Sequence, residues 1–146
     1  MAVREALKLL QSESASIGLH LNLPKCELWW PSRSTNLDVF PPDIRRIDGD
    51  GIELLGSGIG TPSFVSSIAE SRVTQAATLH DVIPSLDDPQ SELALLKSCA
   101  GVCKVTHVLR TSPPVDISSA TARFDASLRR CLERVAEASI DDTSWS

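Results

Sequence analysis

The chain has 146 residues, 42% of them hydrophobic and 23% charged, which suits one soluble globular domain or a piece of a larger one with a sizeable core. Its net charge of −5 excludes a global electrostatic pull on nucleic acid, so any such contact has to be local. No run approaches the ~18 apolar residues of a membrane span, and MAVREALKLLQSESAS carries acids and lacks a leader's apolar core and cleavage site, so an intracellular protein, cytoplasmic or nuclear, with no membrane partner is expected.

Residues 3–17 place Val3, Ala6, Leu7, Leu10 and Ile17 at helical spacing, with Arg4, Glu5, Lys8, Gln11 and Glu13 opposite. Gly18 follows where a left-handed cap belongs. From Leu19 the period changes: Leu19, Leu21 and Leu23 alternate with His20 and Asn22, Pro24 interrupts, and Cys26 to Trp30 reads as a short strand. Residues 31–51 are rich in Pro, Ser, Asn, Asp and Gly and predict a surface connection, with Phe40, Ile44 and Ile47 packing down and a tight turn at 48–51. Ile52 to Leu55 predicts a second short strand, followed by GSGIGTP.

The remainder predicts three helices. Thr61 and Pro62 form a cap and first-turn pair, and Val65, Ile68, Val73, Ala76, Leu79 and Ile83 trace one face down to Pro84. A second helix starts at Asp88 and Pro89, turns Leu93, Leu96 and Cys103 inward, and runs to about Leu109 before TSPP ends it. A third, capped by Asp116 or Ser118, repeats Phe124, Leu128, Cys131, Leu132 and Val135 on one face. Two strands alone make a marginal sheet. Either the helices cover them or further strands lie elsewhere.

Several constellations invite chemistry. GSGIG between a strand and a helix suggests a phosphate-cradling loop, but the spacing is G-x-G-x-G and no acid follows at the end of a second strand; a hairpin turn or a close backbone approach explains it as well. Cys99, Cys103 and His107 fall four apart on one predicted helix, yet zinc needs a fourth ligand, and small thiols at helix contacts account for the pattern. The four cysteines form no C-x-x-C pair, so reduced thiols are the default. His20, His80 and His107 stand in no catalytic motif, and surface or edge positions are expected for His80 and His107. Asp87–Asp88 reads as a helix cap, and Asp141–Asp142 lies in a polar tail. Basic residues cluster at Arg45–Arg46, at Arg129–Arg130 and along Lys97, Lys104 and Arg110, as exposed helix faces often do.

One segment resembles a known family. A helix ending at Gly18-Leu19, then Leu21-Asn22, then Pro24-Lys25-Cys26-Glu27 leading into a strand, is similar to the stretch after the catalytic strand in retroelement reverse transcriptases. IELLGSGIG resembles that family's strand–turn–strand primer grip, with Leu55-Gly56 matching its Leu-Gly. The match covers residues 3–60, and DPQSELALLKSCAGVCK and VLRTSPP resemble the helical thumb of retrotransposon polymerases.

The resemblance implies an α+β chain: the end of a polymerase palm with a primer-grip hairpin over 1–60, a helical thumb over 61–140 and a polar tail at 141–146. It implies a parent nucleotidyltransferase, an RNA-directed DNA polymerase using magnesium, whose partners are an RNA/DNA primer–template duplex and the upstream palm and fingers. Two metal ions about 3.5–4 Å apart need carboxylates. In the family these come from an early palm strand and a Tyr-x-Asp-Asp turn upstream of the Lys25 segment. This chain has no tyrosine, and its acidic pairs lie on the wrong side of Lys25, so no magnesium is expected to be held by this chain alone. By resemblance Lys25 serves the pyrophosphate leaving group, Leu55, Gly56 and Gly58 approach the primer terminus, and Lys97 and Lys104 meet duplex phosphates. Trp29–Trp30 reads as strand packing rather than a base-stacking platform. A non-catalytic helical protein-interaction module is the alternative.

Overall fold

Residues 2–31 and 38–145 are described by the computed structural model, and their elements are of mixed α and β type. The chain divides into two compact units, Met1–Ile52 and Glu53–Ser146.

In the first unit, helix α1 (Ala2–Ser16) stops where Gly18 predicts. Gly18 takes φ +78°, and Leu19 N donates to Ser14 O (2.9 Å) while Gly18 N donates to Ala15 O (3.1 Å). This is the Schellman closure that a left-handed residue allows. α1 is amphipathic but buries none of its residues; Leu7, Gln11 and Ser14 are half-buried. Residues 19–22 are irregular rather than a strand, and a short 3₁₀ turn (Leu23–Lys25) delivers the chain into β1 (Glu27–Trp29).

The segment expected to be a plain connection contains a strand, β2 (Arg45–Ile47). It pairs with β1 in parallel, Leu28 opposite Arg46, and Phe40 and Ile44 are buried as expected. Trp29 is half-buried and its Nε1 donates to Gly49 O at 3.1 Å, whereas Trp30 is exposed.

β3 (Gly51–Leu54), within which the boundary between units falls, and β4 (Ser57–Gly60) form a two-stranded sheet. Thr61 then caps α2 (Pro62–Val82), its Oγ1 accepting from Phe64 N at 3.4 Å, with Pro62 in the first turn. The buried face of α2 is Val65, Ala69, Val73, Ala76 and His80. It turns from the predicted stripe in its second half, so that Leu79 is exposed and His80 lies inside.

The helix expected over 88–109 is broken. α3 (Pro89–Leu95) runs into a π turn (Leu96–Ala100); Gly101 is extended, a 3₁₀ turn (Val102–Lys104) follows, and α4 (Thr106–Thr111) completes the segment. A Cβ on Gly101 would lie 2.9 Å from Leu96 O, closer than side-chain atoms come, so the fold-back is open to glycine alone. Asp88 precedes α3 without a side-chain cap bond; instead buried Glu92 reaches back to accept from Asp87 N at 3.1 Å.

α5 (Pro114–Val135) starts before the predicted caps, because proline fits a first helical turn. It presents Ile117, Ala120 and Phe124 to α2. Three alanines at this crossing, Ala69, Ala76 and Ala120, let the helices approach closely.

The break leaves the Ala100 carbonyl without a helical donor, and His80 supplies one. His80 is 2% exposed, with Nε2 at 2.8 Å from Ala100 O and Nδ1 at 2.8 Å from Ser127 Oγ. A carbonyl only accepts, so Nε2 carries the proton, and in the neutral ring Nδ1 accepts from the Ser127 hydroxyl. The ring also packs against Phe124, centroids 5.6 Å apart. His80 is thus an interior group, not the surface or edge histidine expected from its place beside Leu79.

The residues expected as a polar tail include a short helix, α6 (Asp142–Trp145). Asp141 caps it, accepting from Ser144 N at 2.8 Å and from the Thr143 hydroxyl at 2.6 Å, and these bonds lower its carboxyl to about 2. Arg129 on α5 donates to Asp142 (2.6 Å), to Glu133 and to the Ile140 carbonyl. The hydrogen bond to Asp142 raises its pKa further.

His80→Ala removes both bonds and leaves a buried carbonyl and hydroxyl unpaired beside a cavity. It should cost about 2–4 kcal/mol, read as a lower urea midpoint at unchanged slope; a shift below ~0.5 kcal/mol would contradict the interior placement. The α6 cap contributes while Asp141 is ionised, since its folded-state pKa lies below the ordinary one. That contribution is complete above the ordinary value of 3.8 and is lost as pH falls through about 2. The Ser144 amide resonance should therefore titrate near that lower value, and a midpoint near pH 4 would rule out the cap.

Candidate nucleic-acid interface

Leu55 and Gly56 form the hairpin turn, at φ +52° and +87°. Two consecutive positive φ values mark a type I′ turn, whose twist suits a tight hairpin. Glycine adopts this freely, but leucine is strained there by about 1–2 kcal/mol, and Leu55, 89% exposed, recovers none of it through burial. A Cβ on Gly56 would sit 3.4 Å from Arg72 Nη2 and 3.7 Å from the His107 ring. The turn backbone therefore rests on a guanidinium from α2 and an imidazole from α4, and Arg72 also donates to Glu53 at 2.8 Å.

Gly58 faces the other way. It is buried, and a Cβ there would lie 3.3 Å from Val65 Cα and 3.2 Å from the Ile68 side chain. Its small size serves the seating of β4 on α2. The glycines of GSGIG thus belong to a turn and a packed strand rather than to a loop opening a helix, and the phosphate-cradle reading has no geometry here.

Lys97 and Lys104 are exposed and flank the Gly101 corner. His107 and Arg110 are exposed as well. From Leu93 to Val115 there are 23 residues without an Asp or Glu, the longest such stretch, carrying Lys97, Lys104 and Arg110 and so a formal charge of +3 in a chain of −5. Elsewhere several cations meet acids, namely Lys8 with Glu5, Arg45 with Glu27, Arg72 with Glu53, Arg123 with Glu70, and Arg129 with Glu133 and Asp142, although among the described residues Arg4, Lys25, Arg130 and Arg134 make no such pair. Among the described residues Lys97, Lys104 and Arg110 form no ion pair, so they keep their charge available to phosphate. The gap in acids is a property of the amino-acid sequence itself. The approach of His107 and Arg72 to the turn is a property of the packing.

Lys25 lies in the first unit, exposed at the end of the 3₁₀ turn, its N–H donating to Asn22 O at 3.0 Å. Cys99 and Cys103 are exposed rather than packed between helices, and Cys131 is the buried thiol, its pKa pushed up by desolvation. With the helix broken at Gly101, Cys99, Cys103 and His107 do not lie on one continuous helix, and among the described residues no group of three or more His, Cys, Asp or Glu could hold a metal ion. No helix among the described residues is long and apolar enough to cross a membrane. An open cleft of about 450 Å³ at the end of α5 is lined by Arg130, Glu133, Arg134 and Glu137 with Ala138 and Ser139; its opposite charges cancel and offer an anion no net attraction.

Set against family models, curated proteins and solved structures, the chain matches none of them.

Leu55→Asn places a residue that tolerates the left-handed region at the strained position. It should stabilise the chain by roughly 0.5–1 kcal/mol in urea unfolding, and a loss of stability would mean that the turn is not of this type.

Proposed function

We propose that this chain is the end of a palm and the thumb of a retroelement reverse transcriptase, holding primer–template duplex rather than catalysing synthesis by itself. The observation that carries this reading is the acid-free stretch 93–115, whose Lys97, Lys104 and Arg110 are exposed and without ion pairs, and whose His107 lies beside the hairpin turn at Leu55-Gly56. An acidic protein with one region cleared of carboxylates concentrates positive potential there, and contacts to a phosphate backbone gain from counterion release. The order of elements supports the same reading: helix, Gly18 stop, Lys25 turn, strand, then hairpin and helices.

Lys97, Lys104 and Arg110 bind phosphates, and the turn backbone approaches the duplex with Leu55 projecting from it. Lys25 stabilises charge on the departing pyrophosphate or gives it a proton. Magnesium belongs with the carboxylates of an upstream palm, and this chain's residues act by binding and orientation. The runner-up, a helical protein-interaction module, draws on exposed apolar residues of the second unit such as Val82, Leu86 and Val102.

Affinity for an RNA/DNA primer–template should fall steeply between 50 and 200 mM salt. Replacing Lys97, Lys104 and Arg110 by alanine should lower the slope of log K against log salt by about one per cation. A flat response in the unaltered chain, or an unchanged slope in the triple variant, favours the interaction module. With an upstream palm supplied in trans, Lys25→Ala should slow magnesium-dependent primer extension by about a hundredfold or more, the low side of typical proton-transfer contributions; an unaltered rate removes Lys25 from the chemistry.

A further inference from the structure

Cys99 and Cys103 take no part in the core or in the cationic surface. Both are exposed, whereas Cys131 is buried and Cys26, in the first unit, is half-buried. They stand on either side of the Gly101 corner, where the chain folds back so tightly that a Cβ would lie 2.9 Å from Leu96 O. The fold-back brings the second thiol onto the first turn: Cys103 Sγ lies 3.7 Å from Ser98 O and 3.8 Å from Gly101 O. The Ser98 carbonyl belongs to the peptide unit that Cys99 completes, so the Cys103 sulfur sits one peptide unit from the Cys99 Cα. Disulfides form when Cα atoms come within about 4.4–6.8 Å, a separation that closure of this pair requires.

We propose that Cys99 and Cys103 are a modification site that closes to an intramolecular disulfide by exchange with a low-molecular-weight disulfide of the glutathione class. Cys103 donates its thiol hydrogen to two carbonyls, so Cys99 is the freer nucleophile. Its thiolate attacks one sulfur of oxidised glutathione, forming a mixed disulfide and releasing one glutathione thiolate. The Cys103 thiolate then attacks the Cys99 sulfur, forming the Cys99–Cys103 bond and releasing the second glutathione. The protein's two thiols are oxidised, two electrons pass to the glutathione sulfurs, and the two thiol protons end on the two glutathione thiols. In a reducing compartment such a pair cycles rather than serving as a permanent staple. Closure fixes the corner between Lys97 and Lys104.

The test treats the full chain with oxidised glutathione, quenches with acid, alkylates remaining thiols and digests with trypsin. Cleavage after Lys97 and Lys104 releases residues 98–104, which hold both cysteines. The expected product is this peptide lighter by two hydrogens and unalkylated, formed unchanged in Cys26→Ser and Cys131→Ser chains. Cys103→Ser should instead accumulate a stable glutathione adduct on Cys99. A persistent adduct on Cys99 in the unaltered chain, bridges to Cys26, bridges between chains, or no reaction would each overturn the proposal.

Discussion

The second unit depends on one buried carbonyl. When the chain leaves the π turn at Gly101 it abandons the hydrogen bond that Ala100 O would accept inside a helix, and water is excluded from that position, Ala100 being buried. An unpaired buried carbonyl costs about 1–3 kcal/mol. His80 from α2 meets the need, and Ser127 from α5 fixes its tautomer. A break in one segment is thereby satisfied by the two long helices on which it packs, and no buried side-chain polar atom among the described residues lacks a partner. α4 follows the corner, and its His107 lies beside the hairpin turn, 3.7 Å from where a Cβ on Gly56 would be.

Charge is distributed by a related logic. Exposed ion pairs such as Arg72–Glu53 and Arg123–Glu70 contribute little to stability, ~0–1 kcal/mol each. Their larger effect is on the field, because each cancels a guanidinium at short range and leaves nothing for a polyanion to find. Where no acid is encoded, cancellation fails, and between Leu93 and Val115 it fails for every cation present. Net charge is therefore a poor guide to this surface. A chain of −5 can carry a locally attractive patch because screening confines interactions between exposed charges to roughly 10 Å at 0.1 M salt.

Much of the fold is legible in sequence where a single residue decides local geometry. Gly18 stops α1 because only a left-handed residue closes that ending, and Thr61-Pro62 starts α2 because one side chain caps and one ring fixes φ. The face of α5 follows from periodicity, with Phe124, Cys131 and Val135 inward. What escapes a sequence reading is set by distant partners. β2 is three residues long and includes two arginines, too short for alternation to declare itself, and exists through its pairing with β1. The break at Gly101 passes for a tolerated helical glycine because periodicity does not reveal the local fold-back, in which a Cβ would lie 2.9 Å from Leu96 O. Polarity alone assigns His80 outward, yet a residue that can both donate and accept is suited to a dry junction with one carbonyl and one hydroxyl. Within the candidate site, Lys97 and Lys104 are accessible to sequence reasoning, while Arg72 and His107 emerge only from the packing of the turn.

The two units differ in what holds them. Both hydrophobic clusters lie in the second, spanning Val65 to Val135, whereas the buried hydrophobic side chains of the first are Phe40 and Ile44. Its sheet is a parallel pair of three-residue strands, shorter and fewer than an independently stable sheet requires. Parallel strands are ordinarily covered on both faces, yet α1 buries none of its residues and Val3, Leu9 and Leu10 remain exposed along it. Among the described residues β1 and β2 pair only with each other, so each keeps an outer edge of unused donors and acceptors. A helix with exposed apolar surface and a strand pair with unpaired edges would each gain stability from added partners. The first unit, rather than the well-packed helices, is therefore the part whose order is most sensitive to a partner.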